Sequence, residues 1–297
     1  MKIASFDDHR VGVVVEDAVL DVTAALPAFL SHLPAQRINW LIEHWADAAS
    51  AIRAAAGTAR PLPLASVRLL PANPGTPAIY AAPANYRKHI GELGAQHSAA
   101  GGGGRSARDM GFFLKAPASL VGSGGTIRLP RGSTRRFDHE SELAVIIGRT
   151  ARNVPRERAL AHVFGYACLI DATMRLEKGT HDEERTMRKS FDTFTPLGPW
   201  IVTADEVGDP GQLRNRLWVN DELRQEADTR EMIVGVEELI EMVSSVLTLR
   251  PGDVIATGTP QGVGAMAPGD TVRIEIEKVG AMQLQVAEHG DISPRPY

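Results

Sequence analysis

Two carboxylates, Glu140 and Glu142, stand two residues apart in the stretch HESELAVIIG, directly before an apolar run. Side chains at positions i and i+2 of a strand point to the same face, so the two are predicted to lie side by side. Such neighbours repel each other unless they lie on a solvated face or share a cation. A third carboxylate, Asp171, lies in the apolar segment GYACLIDATM, and a buried aspartate needs a partner. Together the three predict an open site for a hard divalent cation such as Mg²⁺.

A histidine and a glutamate, His89 and Glu92, stand three residues apart in NYRKHIGELG. On a helical turn they share a face, and a carboxylate beside an imidazole makes the ring a better proton acceptor. The pair is therefore a candidate for activating a water molecule, although the same spacing is frequent on ordinary helix surfaces. The run Gly101–Gly104 just after it is predicted to be flexible, which is typical of segments beside active sites.

Two further motifs carry polar groups. Residues 253–264, DVIATGTPQGVG, offer the hydroxyl groups of Thr257 and Thr259 and glycine backbone N–H groups. These suit a carboxylate or similar anion, and a tight hairpin turn is the other interpretation. The motif matches neither a phosphate loop nor a dinucleotide fingerprint. Lys189 could stabilise an enolate or bind a substrate carboxylate, whereas most lysines simply lie on a solvated surface.

The elements that must position these residues are mostly strands. Residues 1–72 are predicted to form a small N-terminal α/β subdomain, with a helix over AQRINWLIEHWADAASAIRAAAG. The proline-rich stretch at residues 60–77 indicates a linker. Residues 73–297 are predicted to form the catalytic domain, in which strands such as ESELAVIIG and TVRIEIEKVG outnumber helices such as VEELIEMVSSVLTL. The pattern predicts an α+β fold dominated by strands, without alternating βα units.

Composition excludes several classes of protein. The 297 residues carry 32 basic and 36 acidic side chains, and no clustered basic stripe indicates a nucleic-acid partner. The first fifteen residues include Asp7, Asp8, His9 and Arg10, which excludes a signal peptide, and no apolar run is long enough to span a membrane. The lone Cys168 excludes an intramolecular disulfide and fits a reducing compartment. We therefore expect a soluble cytoplasmic protein.

The motifs together resemble the fumarylacetoacetate hydrolase family, in its smaller bacterial and mitochondrial branch. They occur in the family's order over most of residues 78–280: NYRKHIGELG, FFLKAPASLVGSGGTI, HESELAVIIG, GYACLIDATMR, KSFDTFTPLGPW, VNDE and RPGDVIATGTPQGVG. The resemblance implies a mixed β-sandwich roll, a Mg²⁺ or Mn²⁺ ion, usually a homodimer, and chemistry on 2-oxo acids or 1,3-dicarbonyls.

The resemblance also implies roles for individual residues. The implied metal ligands are Glu140, Glu142 and Asp171, and the implied water-activating dyad is His89 with Glu92. Lys189 is implied to be a catalytic residue in contact with the substrate, and the other implied substrate contacts are Thr259, Arg175 and Lys115. The chain departs from the family pattern at Leu176, where the family has an aspartate, and over the following residues EKGTHDEERTMRKS. The departures fall on the predicted pocket wall and concern the choice of substrate.

The function predicted from these residues is hydrolysis of a C–C bond in an acylpyruvate-like acid of the fumarylpyruvate or fumarylacetoacetate type, within aromatic catabolism. Three other reactions could use the same metal site and residues and remain alternatives. They are oxaloacetate decarboxylation, isomerisation of hydroxymuconate-like diacids, and hydration or dehydration of 2-oxo acids. A non-catalytic protein that binds a metal or small molecule is the alternative from another class. The expected partner is a small 2-oxo or dicarbonyl acid.

Overall fold

The structure is a computed structural model that describes residues 1–96, 104–176 and 183–292, without the side chains of residues 93–96 and 292. Strands dominate the described part of the chain. They are β1 (Lys2–Phe6), β2 (Arg10–Val15), β3 (Ala18–Asp21), β4 (Pro61–Pro63), β5 (Ile79–Ala81), β6 (Phe113–Lys115), β7 (Leu120–Val121), β8 (Thr126–Arg131), β9 (Phe137–His139), β10 (Ser141–Ile147), β11 (Val163–Ile170), β12 (Thr173–Met174), β13 (Thr195–Thr203), β14 (Arg214–Val219), β15 (Glu222–Asp228), β16 (Val254–Ala256), β17 (Gly264–Ala265), β18 (Thr271–Ile276) and β19 (Gly280–Ile292).

The helices are fewer, and most are short. They are α1 (Arg37–Glu43), α2 (Trp45–Thr58), α3 (Arg87–Gln96), α4 (Ala107–Met110), α5 (Arg156–Ala159), α6 (Arg185–Arg188), α7 (Ala204–Val207) and α8 (Val236–Val246). Within the described ranges no helix is long and apolar enough to cross a membrane. The predicted α+β, strand-dominated fold is confirmed.

One large mixed sheet runs through the molecule. Its strands follow the order β4-β3-β2-β1-β13-β11-β10-β16-β5-β6, with β7 beside β13. A second sheet has the order β15-β14-β18-β19-β8, and a small third sheet has the order β12-β9-β17. Apolar side chains of both larger sheets meet in one core, which includes Val145 and Cys168 from the first sheet and Leu217 and Ile274 from the second. Two stacked sheets with a shared core give the predicted sandwich-like arrangement.

The strands of the N-terminal part lengthen the sheet that carries the site. Strand β1 pairs with β13, with Ile3 opposite Ile201. The predicted single helix is divided at His44 into α1 and α2. Because sheet continuity does not show whether either part folds alone, the boundary between residues 1–72 and 73–297 stays a prediction.

The proline-rich stretch was predicted to be a linker, and this was wrong. Pro61–Pro63 forms the edge strand β4, a position where the missing N–H groups of proline cost no ladder hydrogen bond. Further on, the N–H of Leu70 donates to the carbonyl of Ser5, and the N–H of Ala72 donates to the carbonyl of Leu197, both at 2.9 Å. The stretch is therefore attached along its length to the sheet.

Candidate active site

Three neighbouring strands bring the site together at one edge of the large sheet. Strand β10 is antiparallel to both β11 and β16, so its first residues meet the last residues of those two strands. Every residue of β10 is buried, as its apolar run predicts. Two carboxylate-bearing residues lie at this edge: Glu142 is the second residue of β10, and Asp171 directly follows β11.

Glu140, Glu142 and Asp171 form a buried cluster in which one carboxylate oxygen of each lies within 4.8 Å of the others. The prediction that Glu140 and Glu142 belong to one strand was wrong, because Glu140 lies in the break between β9 and β10. Its carbonyl accepts a 2.8 Å hydrogen bond from the N–H of Asp171, which fixes this break against the end of β11.

Lysine side chains neutralise part of this cluster. The Nζ atom of Lys189 donates to Oε2 of Glu140 at 2.8 Å, to Oδ2 of Asp171, and to the hydroxyl of Thr173 at 2.7 Å. An ammonium group has three donors, so all three are used. Lys115 is fully buried and donates to Oδ1 of Asp171 at 2.5 Å and to backbone carbonyls of Lys189 and Phe194.

Arg175 adds a third cation. It donates to Oε1 of Glu140 and, at 2.6 Å, to Oδ2 of Asp138. Burial alone would raise the pKa of Glu140, but the charges of Lys189 and Arg175 hold this pKa well below its ordinary value. Glu140 is therefore ionised and held in place by two cations.

Glu142 differs from the other two carboxylates because it contacts no cation in the described part of the chain. Its Oε2 accepts a 2.7 Å hydrogen bond from the N–H of Gly258. Burial, followed by the charges of Asp171 and Glu140, raises the pKa of Glu142 well above its ordinary value. A buried carboxylate beside two others is stabilised by a cation, so the donor set fits a divalent metal with oxygen ligands. Glu140, Glu142 and Asp171 are the residues that would hold it.

His89 and Glu92 lie on the first turns of α3, as predicted. The His89 ring is buried, and its Nδ1 lies 3.5 Å from Oε2 of Glu92. At this distance Nδ1 has no hydrogen-bond partner among the described residues. Burial raises the pKa of Glu92, but the nearby His89 ring and the hydrogen bond from the N–H of Gly262 outweigh this effect and lower the pKa overall. The carboxylate is therefore placed beside Nδ1, where it can stabilise a protonated ring.

The loop that follows β16, residues 257–263, was expected to offer free backbone N–H groups. Those of Gly258 and Gly262 are not free. The N–H of Gly258 is taken by Glu142, and the N–H of Gly262 by Glu92. The hydroxyl of Thr259 accepts a 2.8 Å hydrogen bond from the Gln225 side chain. The expectation of an anion cradle was therefore wrong for these two N–H groups: the anions that they bind are the protein's own carboxylates.

A cleft opens over the cluster. Seven of the nine predicted site residues line it, whereas Lys115 is buried beneath the cluster and Glu92 lies behind His89. The residues that line the cleft are Ala82, Pro83, Ala84, His89, Met110, Phe113, Glu140, Glu142, Asp171, Arg175, Leu176, Arg185, Arg188, Lys189 and Thr259. The roles of the predicted residues stay predictions.

The sequence interpretation missed several residues that shape the site. Asp138, Thr173 and Gln225 hold Arg175, Lys189 and Thr259 respectively. Asp138 continues the two-residue spacing of Glu140 and Glu142, whereas Thr173 and Gln225 carry no local signal beyond their polarity. Arg185 and Arg188 line the cleft from α6. Their spacing of three residues in EERTMRKS is the signal that could have found them, because it places two cations on one helical face.

Comparison with known proteins agrees with this geometry. The family model described as fumarylacetoacetate (FAA) hydrolase, C-terminal, matches residues 78–287. The chain is 47% identical over 293 residues to a maleylpyruvate hydrolase of Aquipseudomonas alcaligenes, covering 96% of this chain and 99% of the relative.

Two solved structures extend the comparison. A maleylpyruvate hydrolase of Sphingobium sp. SYK-6, in complex with manganese(II) and pyruvate, is 42% identical with a TM-score of 0.84, covering 97% of this chain and 99% of the other. A 2-hydroxyhepta-2,4-diene-1,7-dioate isomerase of Mycobacterium marinum is 36% identical with a TM-score of 0.66, covering 79% and 83%. The predicted resemblance is confirmed, and the chain belongs to the fumarylacetoacetate hydrolase family.

Proposed function

We propose that this protein is a divalent-metal-dependent acylpyruvate hydrolase that cleaves maleylpyruvate, or a closely related 1,3-dicarbonyl acid, into pyruvate and a second carboxylic acid. The observation that carries the proposal is that His89 and the cluster of Glu140, Glu142 and Asp171 face the same cleft. The cluster suits a metal, and the histidine suits the activation of water. The relatives named maleylpyruvate hydrolase, which span nearly the whole chain, support this choice of substrate.

The metal would act as a Lewis acid toward the 2-oxo acid end of the substrate. We propose Mn²⁺ or Mg²⁺, and the manganese complex of the Sphingobium relative supports Mn²⁺. Of the three proposed ligands, Glu142 would be stabilised most by the charge of the ion, because it contacts no cation within the described residues. Lys189 would orient Glu140 and Asp171 and add positive charge beside the reacting oxygens.

His89 would take a proton from a water molecule, and Glu92 would hold the opposite ring nitrogen. The resulting hydroxide attacks the C4 carbonyl of the acylpyruvate. The C3–C4 bond then breaks, its electron pair passes to C3, and a proton added there completes pyruvate. One water is consumed, and the acyl group leaves as a carboxylic acid. Because the His89 ring is buried and lines the cleft, it is placed to take this proton from a water molecule bound there.

The test is an NMR time course with maleylpyruvate, fumarylpyruvate, acetylpyruvate and oxaloacetate, each with Mn²⁺, with Mg²⁺ and with EDTA. We expect metal-dependent formation of pyruvate together with a second acid from at least one acylpyruvate. Pyruvate from oxaloacetate alone would replace the hydrolase with a decarboxylase. Binding without turnover of any compound would favour a non-catalytic protein.

A homodimer, a cytoplasmic location and a role in aromatic catabolism complete the proposal. The lone buried Cys168 supports a reducing compartment. Maleylpyruvate as the substrate would be consistent with aromatic catabolism. Light scattering after size exclusion measures the oligomeric state directly, and a monomer at micromolar concentration would contradict the proposed dimer.

A further inference from the structure

Helix α6 places two arginines on the cleft wall, and neither contacts a carboxylate in the part of the chain that the structure describes. Arg188 donates to the backbone carbonyls of Glu183 and Met174, both at 3.2 Å. Arg185 makes no hydrogen bond or ion pair with any described residue, and its guanidinium lies 5.3 Å from the centre of the Phe113 ring. Neither guanidinium therefore contacts a carboxylate of the described residues, although the charges of Glu183 and Glu140 act on Arg188 from a distance.

The other cations of the site are already balanced. Lys189 and Lys115 contact Asp171, and Arg175 contacts Asp138 and Glu140. The carboxylate of Glu183, two residues before α6, is bound by Arg135 through two hydrogen bonds of 3.0 and 3.2 Å. Among the described residues, the arginine pair on α6 thus has no carboxylate in direct contact with it.

Burial makes the charge of Arg188 costly without an anion. Arg188 is only 8% exposed, and burial lowers its pKa, with a further reduction from the charges of Arg185 and Arg175. Guanidinium groups bind carboxylates through paired hydrogen bonds. A carboxylate that enters the cleft would supply hydrogen-bond acceptors and a negative charge to both arginines. The Phe113 ring lies against the Arg185 guanidinium and holds it in position.

We propose that Arg185 and Arg188 bind the distal carboxylate of a dicarboxylic acylpyruvate and thereby select diacids over acyl chains that end in a methyl group. This inference rests on the proposed function, in which the 2-oxo acid end occupies the carboxylate cluster. The remaining part of a seven-carbon substrate such as maleylpyruvate carries one more carboxylate, and these two arginines supply its charge partner.

The first experiment compares kcat/KM for maleylpyruvate and acetylpyruvate in the wild type and in Arg185→Gln, Arg188→Gln and Arg149→Gln. Arg149 is an exposed arginine outside the cleft and is the matched control. We expect the ratio of the two kcat/KM values to fall about 10- to 100-fold in each cleft variant, the range for a lost hydrogen bond to a charged group. The control should keep the wild-type ratio.

The second experiment measures binding and does not depend on turnover. Calorimetry with the Mn²⁺-loaded full chain compares 2-oxopimelate with 2-oxoheptanoate, which has the same length but lacks the distal carboxylate. Neither compound has the 4-oxo group that hydrolysis requires. We expect the wild type to prefer 2-oxopimelate, and the cleft variants to lose that preference by about the same factor.

Each outcome decides the inference. If a cleft variant weakened both substrates, or both ligands, by the same factor, the arginines would bind the shared 2-oxo acid end, and the inference would be overturned. A kcat/KM ratio equal to that of the wild type would also overturn the inference. If Arg188→Gln fails to fold because its two backbone hydrogen bonds are lost, Arg185→Gln decides, since that side chain makes none in the described structure. If the wild type hydrolyses neither substrate, the proposed function fails, and the binding pair still tests the arginines.

Discussion

The backbone N–H of Gly262 donates a 2.8 Å hydrogen bond to Oε1 of Glu92, which lies 170 residues earlier in the chain. The same N–H lies 3.1 Å from the second carboxylate oxygen. This contact joins the loop after β16 to the helix that carries His89. Four residues before Gly262, the N–H of Gly258 holds Glu142. One loop therefore positions a carboxylate of the metal cluster and the carboxylate behind the candidate base.

Replacing Gly262 by alanine should disturb both stability and catalysis. Gly262 has a φ of +88°, and an added Cβ would lie 1.9 Å from the carbonyl oxygen of Arg224. Backbone cannot rotate away as a side chain can, so we expect a loss of about 3 kcal/mol in the free energy of unfolding, from φ strain and overpacking together. Urea unfolding measures this loss, and kcat should fall because the displaced backbone moves the N–H of residue 262 away from Glu92.

Gly269 provides the matched control. Its φ is +98°, and nothing lies within 4 Å of an added Cβ. Gly269→Ala should therefore show only the cost of a positive φ, about 1 to 2 kcal/mol, with kcat unchanged. Equal losses in the two variants would show that the approach of Arg224 carries no energy and that the loop adapts.

Replacing His89 by glutamine should remove hydrolysis while the site stays intact. Glutamine keeps hydrogen-bonding groups but cannot accept a proton near neutral pH, so kcat should fall by about 10²- to 10⁴-fold. The affinity for Mn²⁺, measured by calorimetry, should stay near that of the wild type, because the ligands come from other elements. His162→Gln, outside the cleft, is the control. A His89→Gln enzyme with full activity would exclude His89 as the base.

The three carboxylates were predictable from local signals. The spacing of Glu140 and Glu142 and the presence of Asp171 in an apolar segment both indicate an unusual burial of charge. The place where they meet was not predictable in the same way, because it depends on β10 lying between β11 and β16. The break between strands at Glu140 also follows from this packing. The hydrophobic pattern of the sequence does not indicate it.

The polar contacts beneath the site escaped the sequence for a similar reason. Gln225 lies in a segment, ELRQEAD, that looks solvated, yet it is fully buried. Its amide donates to Thr259, and its oxygen accepts from the N–H of Ser141, which is 84 residues away. The periodicity of β15 shows only that alternate residues face inward. Which polar residue fills that inward position is decided by partners on distant strands.

Stability should depend on pH through Asp253, which lies outside the carboxylate cluster. It is 2% exposed, and burial raises its pKa from 3.8 to about 6. Because the pKa is higher in the folded state, the favourable contribution of the protonated group is present below about pH 4 and is lost as the pH rises through 6. Asp253→Asn removes the charge and can still accept the 2.8 Å hydrogen bond from the N–H of Arg250.

The variant should therefore gain stability relative to the wild type between pH 4 and pH 7, on the order of 1 kcal/mol. Urea unfolding at several pH values measures this difference, and the exposed Asp192, replaced by asparagine, is the control. If the free energy of unfolding changed with pH in the same way in the wild type and in Asp253→Asn, the buried charge of Asp253 would not destabilise the folded protein.

Replacing Glu142 by glutamine should have opposite effects on the metal-free and metal-loaded protein. Glutamine has nearly the same shape and can still accept the hydrogen bond from Gly258, but it removes one of three crowded charges. The melting temperature without metal should therefore stay the same or rise, because repulsion from Asp171 and Glu140 is lost. The affinity for Mn²⁺ should fall at least about 10-fold, since one ligand loses its charge.

The melting temperature without metal and the affinity for Mn²⁺ together distinguish a metal ligand from a structural residue. A packing defect would lower the melting temperature of both forms, whereas loss of a ligand lowers only the gain that Mn²⁺ produces. Thermal unfolding with EDTA and with increasing Mn²⁺ measures both quantities in one series. Glu157→Gln, at an exposed position on α5, should behave as the wild type. If Glu142→Gln kept the full Mn²⁺-dependent gain, Glu142 would not be a ligand, and the cluster would bind the ion through Glu140 and Asp171 alone.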